Sequence, residues 1–172
     1  RKIIGYLPET PPLYPDMIVY SYLMFAAQIR GVQGKKIAGS VEKVIEKCGL
    51  KDVSQRIIGR LSKGYQQRVG LAQAMVHDPD ILILDEPTVG LDPIQIIEIR
   101  KLIKELATSH TIILSSHILP EITQICQRII IINEGEIAAV DSLDGLTASL
   151  RKSERLSLTI RNGNNDEVET IL

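Results

Sequence analysis

Ile81-Leu82-Ile83-Leu84-Asp85-Glu86-Pro87-Thr88 is the stretch on which the fold turns. Its four apolar residues run without polar alternation. That pattern reads as a strand buried on both faces, as strands of a parallel sheet are. Two adjacent carboxylates stand at its carboxyl end, and open parallel sheets bind their ligands at that edge. Asp85 suits a hard cation, which wants oxygen ligands and often keeps water between. Glu86, one residue on, is free to polarise an attacking water. Taken alone, two solvated acids ending a strand would look the same.

The flanking sequence extends the pattern. After the two acids, Asp92 reads as a helix cap with Pro93 at the first helical position. Ile99, Leu102, Ile103 and Leu106 follow at helical spacing. Residues 111–114 form a second apolar strand and 119–126 a short helix. Residues 129–132 form a third strand, which Asn133-Glu134-Gly135-Glu136 turns into an antiparallel partner at 137–140. Upstream, 2–7 reads as a short strand stopped by Pro8. A stiff loop follows, carrying Pro8, Pro11, Pro12 and Pro15. Helices are expected at 18–30 and 37–48, then a loop at 51–61. Ser62 next caps a helix to about His77, with Tyr65, Val69, Ala72 and Val76 on one face. Alternating strands and helices argue for an α/β fold with right-handed crossovers. Beyond Asp141 a helix at 142–151, a strand at 156–160, a turn at 162–165 and a helix from 167 are expected.

Bulk composition narrows the class without naming a chemistry. The 172 residues are 44% hydrophobic and 24% charged, ordinary for a globular domain with a core. A net charge of -1 leaves no global basic field for nucleic acid. Cys48 and Cys126 match no metal or redox spacing, which fits a reducing compartment. The longest apolar stretch, 18–29, is too short to span a bilayer. Residue 1 is Arg, a strand-like run begins at once, and the final pattern breaks off. These features lead us to expect a chain cut at both ends.

Two further stretches carry chemistry. In Leu61-Ser62-Lys63-Gly64-Tyr65 a capped helix presents free N–H groups and a positive dipole end, which attract phosphate. Gly64 would let a ligand approach the backbone. In Ser115-Ser116-His117 an imidazole follows the second apolar strand, at the same sheet edge as Glu86, where it could touch a phosphoryl group. An ordinary capped helix and a strand-ending histidine are the plain alternatives. His77 and His110 read as surface residues.

In this order and spacing the pieces resemble the ATP-binding cassette ATPases over residues 1–140. Leu61-Ser62-Lys63-Gly64-Tyr65 corresponds to the signature motif, 81–86 to Walker B with the catalytic Glu, Gly90-Leu91-Asp92 to the D-loop, and His117 to the switch histidine. With Ile4-Gly5-Tyr6-Leu7-Pro8-Glu9, the wording looks most like ATPase subunits of bacterial multidrug, antibiotic or sodium exporters. The resemblance implies a P-loop NTPase-like parallel sheet, truncated, with a small helical subdomain at about 17–78 inside a partial cassette domain at 1–140. Residues 141–172 would start a C-terminal accessory region. It implies ATP and Mg²⁺ as cofactors and ATP hydrolysis by the intact protein to power export. Asp85 would support the metal through water, Glu86 act as base, and His117 sense the γ-phosphate. Ser62, Lys63 and Gly64 would cap the nucleotide of a second ATPase subunit in a homodimer, with Asp92 at the seam. Glu9 stands where many members have a metal-touching Gln. Lys63 and Tyr65 depart from the common Gly and Gln. A transmembrane permease subunit would hold the chain at the cytoplasmic face of the membrane as a peripheral protein. Five of the six aromatics lie in the first 25 residues; docking of that permease and packing of the helical subdomain explain them equally well.

No Gly-x-x-x-x-Gly-Lys-Ser/Thr occurs in the sequence. That loop cradles the phosphates in P-loop enzymes, so this polypeptide alone is expected to be inactive. The family places the loop upstream of Arg1. We also expect the strand feeding it to lie between 81–84 and 111–114; without it their edges would be exposed, so either a compensating rearrangement or self-association through those edges is expected. Two other readings stay open: a cassette ATPase outside transport, and a non-catalytic docking or regulatory piece.

Overall fold

A computed structural model describes residues 3–151. The chain divides into two compact units, Arg1–Cys126 and Gln127–Leu172. The first holds β1 (Ile4–Leu7), α1 (Val19–Ile29), α2 (Gly34–Lys47), two single 3₁₀ turns (Lys51–Val53 and Ile58–Arg60), α3 (Lys63–Met75), β2 (Ile81–Asp85), α4 (Pro93–Leu106), β3 (Thr111–Ser115) and α5 (Leu119–Ile125). The second holds β4 (Ile129–Asn133), β5 (Glu136–Asp141) and α6 (Leu143–Arg151). The elements expected beyond 151 lie outside the described residues.

The three strands of the first unit form one parallel sheet in the order β1-β2-β3. Ile4 pairs with Ile81 and Leu7 with Leu84, while Ile81 pairs with Thr111 and Asp85 with Ser115. This corrects the expectation that 81–84 and 111–114 flank another strand. The two strands are direct neighbours, and the edges without a strand partner among the described residues are the far sides of β1 and β3. Asp85 and Ser115 end their strands side by side because of that register.

The expectation that the Ile81–Leu84 run is buried on both faces also needs correction. Side chains alternate across a strand. Leu82 and Leu84 are fully buried, whereas Ile81 and Ile83 are only half-buried. On β3, Ile112 and Leu114 pack against the core while Ile113 is 56% exposed. One face of the sheet is therefore packed and the other open. Helix α4 joins the packed core through Ile99, Leu102, Ile103 and Leu106, the stripe its sequence spacing predicts.

A three-helix cluster of α1, α2 and α3 completes this core. The first two are amphipathic, burying Val19, Tyr22, Leu23, Ala26 and Ala27 on one and Ile37, Val41, Val44 and Ile45 on the other. Helix α3 is buried on several sides through Val69, Leu71, Ala72, Ala74 and Met75. Val69, Ala72 and Val76 are buried as expected, but Tyr65 at the first turn faces solvent. Where α3 crosses β1 the approach is so close that a Cβ on Gly5 would collide with the Ala74 carbonyl. His77, expected at the surface, is half-buried and bonds the Ile4 carbonyl through Nε2 at 3.1 Å. Burial lowers its pKa from the usual imidazole value.

The proline-rich loop is tied to α1. Tyr22 is buried, its hydroxyl donates to the Pro12 carbonyl at 3.2 Å, and Tyr14 stacks edge-on at 5.9 Å. Packing thus accounts for Tyr22 among the early aromatics. In the second unit the β4–β5 hairpin turns through Glu134 and Gly135, both at positive φ, as the Asn-Glu-Gly-Glu stretch predicts.

Candidate active site

Period-two geometry and sheet register place the site. Tyr6, Asp85 and Ser115 fall on the open face of three adjacent strands, near their carboxyl ends. Ser115 Oγ donates to Asp85 Oδ1 at 2.6 Å, and the Tyr6 hydroxyl reaches Asp85 Oδ2 at 3.4 Å. One residue on, Glu86 leaves the strand in the left-handed region at φ 45°. A non-glycine residue holds that conformation only where its surroundings fix it. Here its N–H is shared between the Ser115 carbonyl at 3.2 Å and Ser115 Oγ at 3.3 Å. Its carboxylate Oε1 accepts from both the backbone N–H and the ring Nδ1 of His117, at 3.0 and 2.9 Å.

Glu86 and His117, 31 positions apart in sequence, therefore meet as the spacing predicts. A ring Nδ1–H that donates to Glu86 leaves Nε2 for a ligand. The hydrogen bond to Glu86, and next its charge, raise the His117 pKa above the ordinary imidazole value. A little desolvation opposes them, and the charges of Glu121 and Glu9 add smaller pushes. His117 is largely exposed and Glu86 mostly covered.

Behind this pair lies a buried polar cluster that sequence reading missed. Thr88 Oγ1 donates to Glu121 Oε2 at 2.5 Å, and Arg100 Nη2 pairs with Glu121 Oε1 at 3.0 Å. Glu121 is buried, and a lone acid in a seven-residue helix gives no sequence signal for that. Ser115 was readable only as part of the Ser-Ser-His run, and Tyr6 only as a strand residue.

The remaining expected site residues lie in a second place. Ser62 caps α3, accepting from the Tyr65 N–H at 3.4 Å. Ser62 and Lys63 are exposed. Gly64 is covered by Gln95, whose side chain would sit 2.6 Å from an added Cβ. Asp92 caps α4 through the Gln95 N–H at 2.9 Å. The ammonium of Lys63 lies against Gly90, which turns at φ 67°. The structure thus brings the Ser62–Gly64 turn together with the Gly90–Asp92 loop. No described bond joins either to Glu86 or His117. Glu9, Lys63, Gln66, Gln67 and Val89 line a groove of about 270 Å³.

Glu9 is exposed and makes no described contact with Asp85. No group of three His, Cys, Asp or Glu side chains able to hold a metal occurs among the described residues. Asp85, oriented by two hydroxyls at a half-buried sheet edge, fits a magnesium ion held mainly by phosphate and water, which needs only one or two protein carboxylates.

A family model described as ABC transporter matches residues 1–89. This chain belongs to the ABC transporter family. Its Asp85–Glu86 and Ser62–Gly64 stretches both fall in the matched segment. The bacitracin transport ATP-binding protein BcrA of Bacillus licheniformis is 39% identical over 161 residues, covering 92% of this chain and 52% of that protein. The ABC transporter ATP-binding protein NatA of Bacillus subtilis is 34% identical, over 83% of this chain and 58% of its own length. Among solved structures, cbiO1 from Clostridium perfringens, part of the ABC transporter complex cbiONQ, superposes with a TM-score of 0.78 at 28% identity. It covers 88% of this chain and 62% of that one. The chain spans about half the length of the curated relatives it matches. ABC transporter ATP-binding proteins are nucleotide-binding ATPases, and the α/β sheet described above is their fold. No helix among the described residues is long and apolar enough to cross a membrane.

Proposed function

We propose that this chain supplies the hydrolytic half-site and the capping turn of an ATP-binding cassette that powers export across a membrane. The observation that carries the reading is Glu86 held against His117 beside Asp85, at the carboxyl edge of a parallel sheet. Glu86 Oε1 is taken up by His117, which leaves Oε2 to accept a proton from a water attacking the γ-phosphoryl group. The leaving group is ADP, and the new phosphate carries the water's oxygen. His117, with Nδ1–H on Glu86, offers Nε2 to the transferring group; protonated, it donates there. Magnesium bound with the nucleotide would neutralise phosphate charge, and Asp85 is the residue to hold it through water. Glu9 can add a weaker, solvent-side oxygen.

Ser62, Lys63 and Gly64 would cap the γ-phosphate of a nucleotide on a second ATPase subunit, with Asp92 at the seam. Ser62 and Lys63, exposed at the start of α3, support this; Gly64 lies beneath the Gln95 side chain, which would have to swing aside. The cassette domain would run over 1–140, its helical part over about 17–78, with 141–172 opening an accessory region. A transmembrane permease subunit would be the second partner, placing the protein at the cytoplasmic face of the membrane. Likeness to a bacitracin transport protein supports a role in transport. None of the 172 residues supplies a Gly-x-x-x-x-Gly-Lys-Ser/Thr cradle, so the polypeptide alone should not turn ATP over.

The test is a chimera with residues 3–151 in place of the matching stretch of the Bacillus licheniformis protein. It should hydrolyse ATP, and Glu86→Gln should cut kcat about 10²- to 10⁴-fold. Unchanged turnover in Glu86→Gln would defeat the assignment of the base. ATP turnover by the 172-residue chain itself, lost on Glu86→Gln, would defeat the claim that it needs a phosphate cradle.

A further inference from the structure

The two loops that carry Glu86 and His117 are joined twice. The first join is direct, through the carboxylate and imidazole themselves. The second lies behind it, in the buried cluster of Thr88, Glu121 and Arg100. Glu121 is one of three buried polar or charged residues in the described chain, with Thr88 and Gln67. A carboxylate is costly to bury unless it is paired and hydrogen-bonded. Both of its oxygens are engaged, one by the Thr88 hydroxyl and one by Arg100. Arg100 in turn extends Nη1 to Gln124 Oε1 at 2.9 Å, so it is fastened to α5 as well as to α4.

The placement gives the cluster a mechanical meaning. Thr88 lies two residues past Glu86, on the turn that begins at φ 45°. Glu121 lies four residues past His117, in the first turn of α5. We propose that Glu121 is a positioning residue: anchored by Arg100 and gripping Thr88, it fixes the turn that carries Glu86 to the start of α5, just past the loop that carries His117. Left to itself, a non-glycine residue at positive φ would relax toward a commoner conformation. Relaxation would rotate the Glu86 carboxylate away from the His117 N–H. The Thr88 hydroxyl bonded to an immovable carboxylate blocks that rotation from the far side. The inference rests on the pairing of Glu86 with His117 proposed above, and its test needs no nucleotide.

Amide hydrogen exchange in the 172-residue chain reads the clamp directly. Thr88→Val removes the hydroxyl, keeps the shape and leaves the Glu121 charge in place. Protection at the Glu86 and His117 amides should fall about tenfold or more, the scale of one hydrogen bond to a charged group, while Leu82 and Leu84 in mid-strand keep theirs. Thr88→Ser, which restores the hydroxyl, should restore protection. Glu121→Asp, with the charge kept and the reach shortened, should give the same pattern at lower amplitude, and it serves if Thr88→Val fails to fold. Protection unchanged at both amides, or lost evenly through the sheet, would overturn the clamp. Glu86→Gln turnover in the chimera fails or succeeds independently of this, so the two claims can be told apart.

Discussion

Glu86 bears two constraints, a backbone at φ 45° and a carboxylate bonded twice to His117. The bond acts back on the imidazole. Because the folded pKa of His117 is raised, its contribution to stability is complete below the unfolded value of about 6.5 and is lost as pH rises through the folded value. Titrating the ring by NMR should show that raised pKa, and Glu86→Gln should return it toward 6.5. An unmoved pKa would mean the pair is not formed in solution. The Ser62 cap is a second residue-scale handle. Its bond is long at 3.4 Å, so Ser62→Ala should cost near the low end of the usual range, about 0.5–1 kcal/mol, measured by urea unfolding. At this scale the sequence was readable where chemistry is local: two acids after an apolar run, a serine before a helix, a histidine after a strand. It was silent on Glu121, Thr88 and Arg100, since a long-range buried network leaves no periodic trace.

Helix α3 and strand β1 meet with almost no space between them. Gly5→Ala would push a methyl into the Ala74 carbonyl, and overpacking of that kind costs about 1–3 kcal/mol. Thermal unfolding of the variant should show the loss; an unchanged midpoint would mean the strand can slide away. Most elements were visible in the sequence because their periods are clean. The stripe of α4 and the turn of the β4–β5 hairpin follow from spacing and from Gly135 alone. What spacing could not supply was the number of covered faces. An unbroken Ile-Leu-Ile-Leu run looks the same whether one side or both is packed, so Ile83 was placed too deep. Strand neighbours were also out of reach, because parallel pairing is decided by packing between distant segments.

As a whole molecule, the first unit has a parallel sheet with one open face and two edges, on β1 and β3, lacking strand partners among the described residues. Unpaired strand edges recruit other chains. The 172-residue chain should therefore self-associate with rising concentration in the micromolar to millimolar range, seen by sedimentation. Ile113→Lys, which puts a charge on the edge strand β3, should suppress association through it. A monomer throughout would argue that the edges are protected. A different consequence concerns synthesis. β1 ends at Leu7, but its only described partner starts at Ile81. On a ribosome adding about 5–20 residues per second, Ile4–Leu7 waits on the order of ten seconds before that described partner has been made. The nascent chain passes that interval with the helical cluster able to form and Ile4–Leu7 still without Ile81–Leu84, which leaves that strand open to a ribosome-bound chaperone.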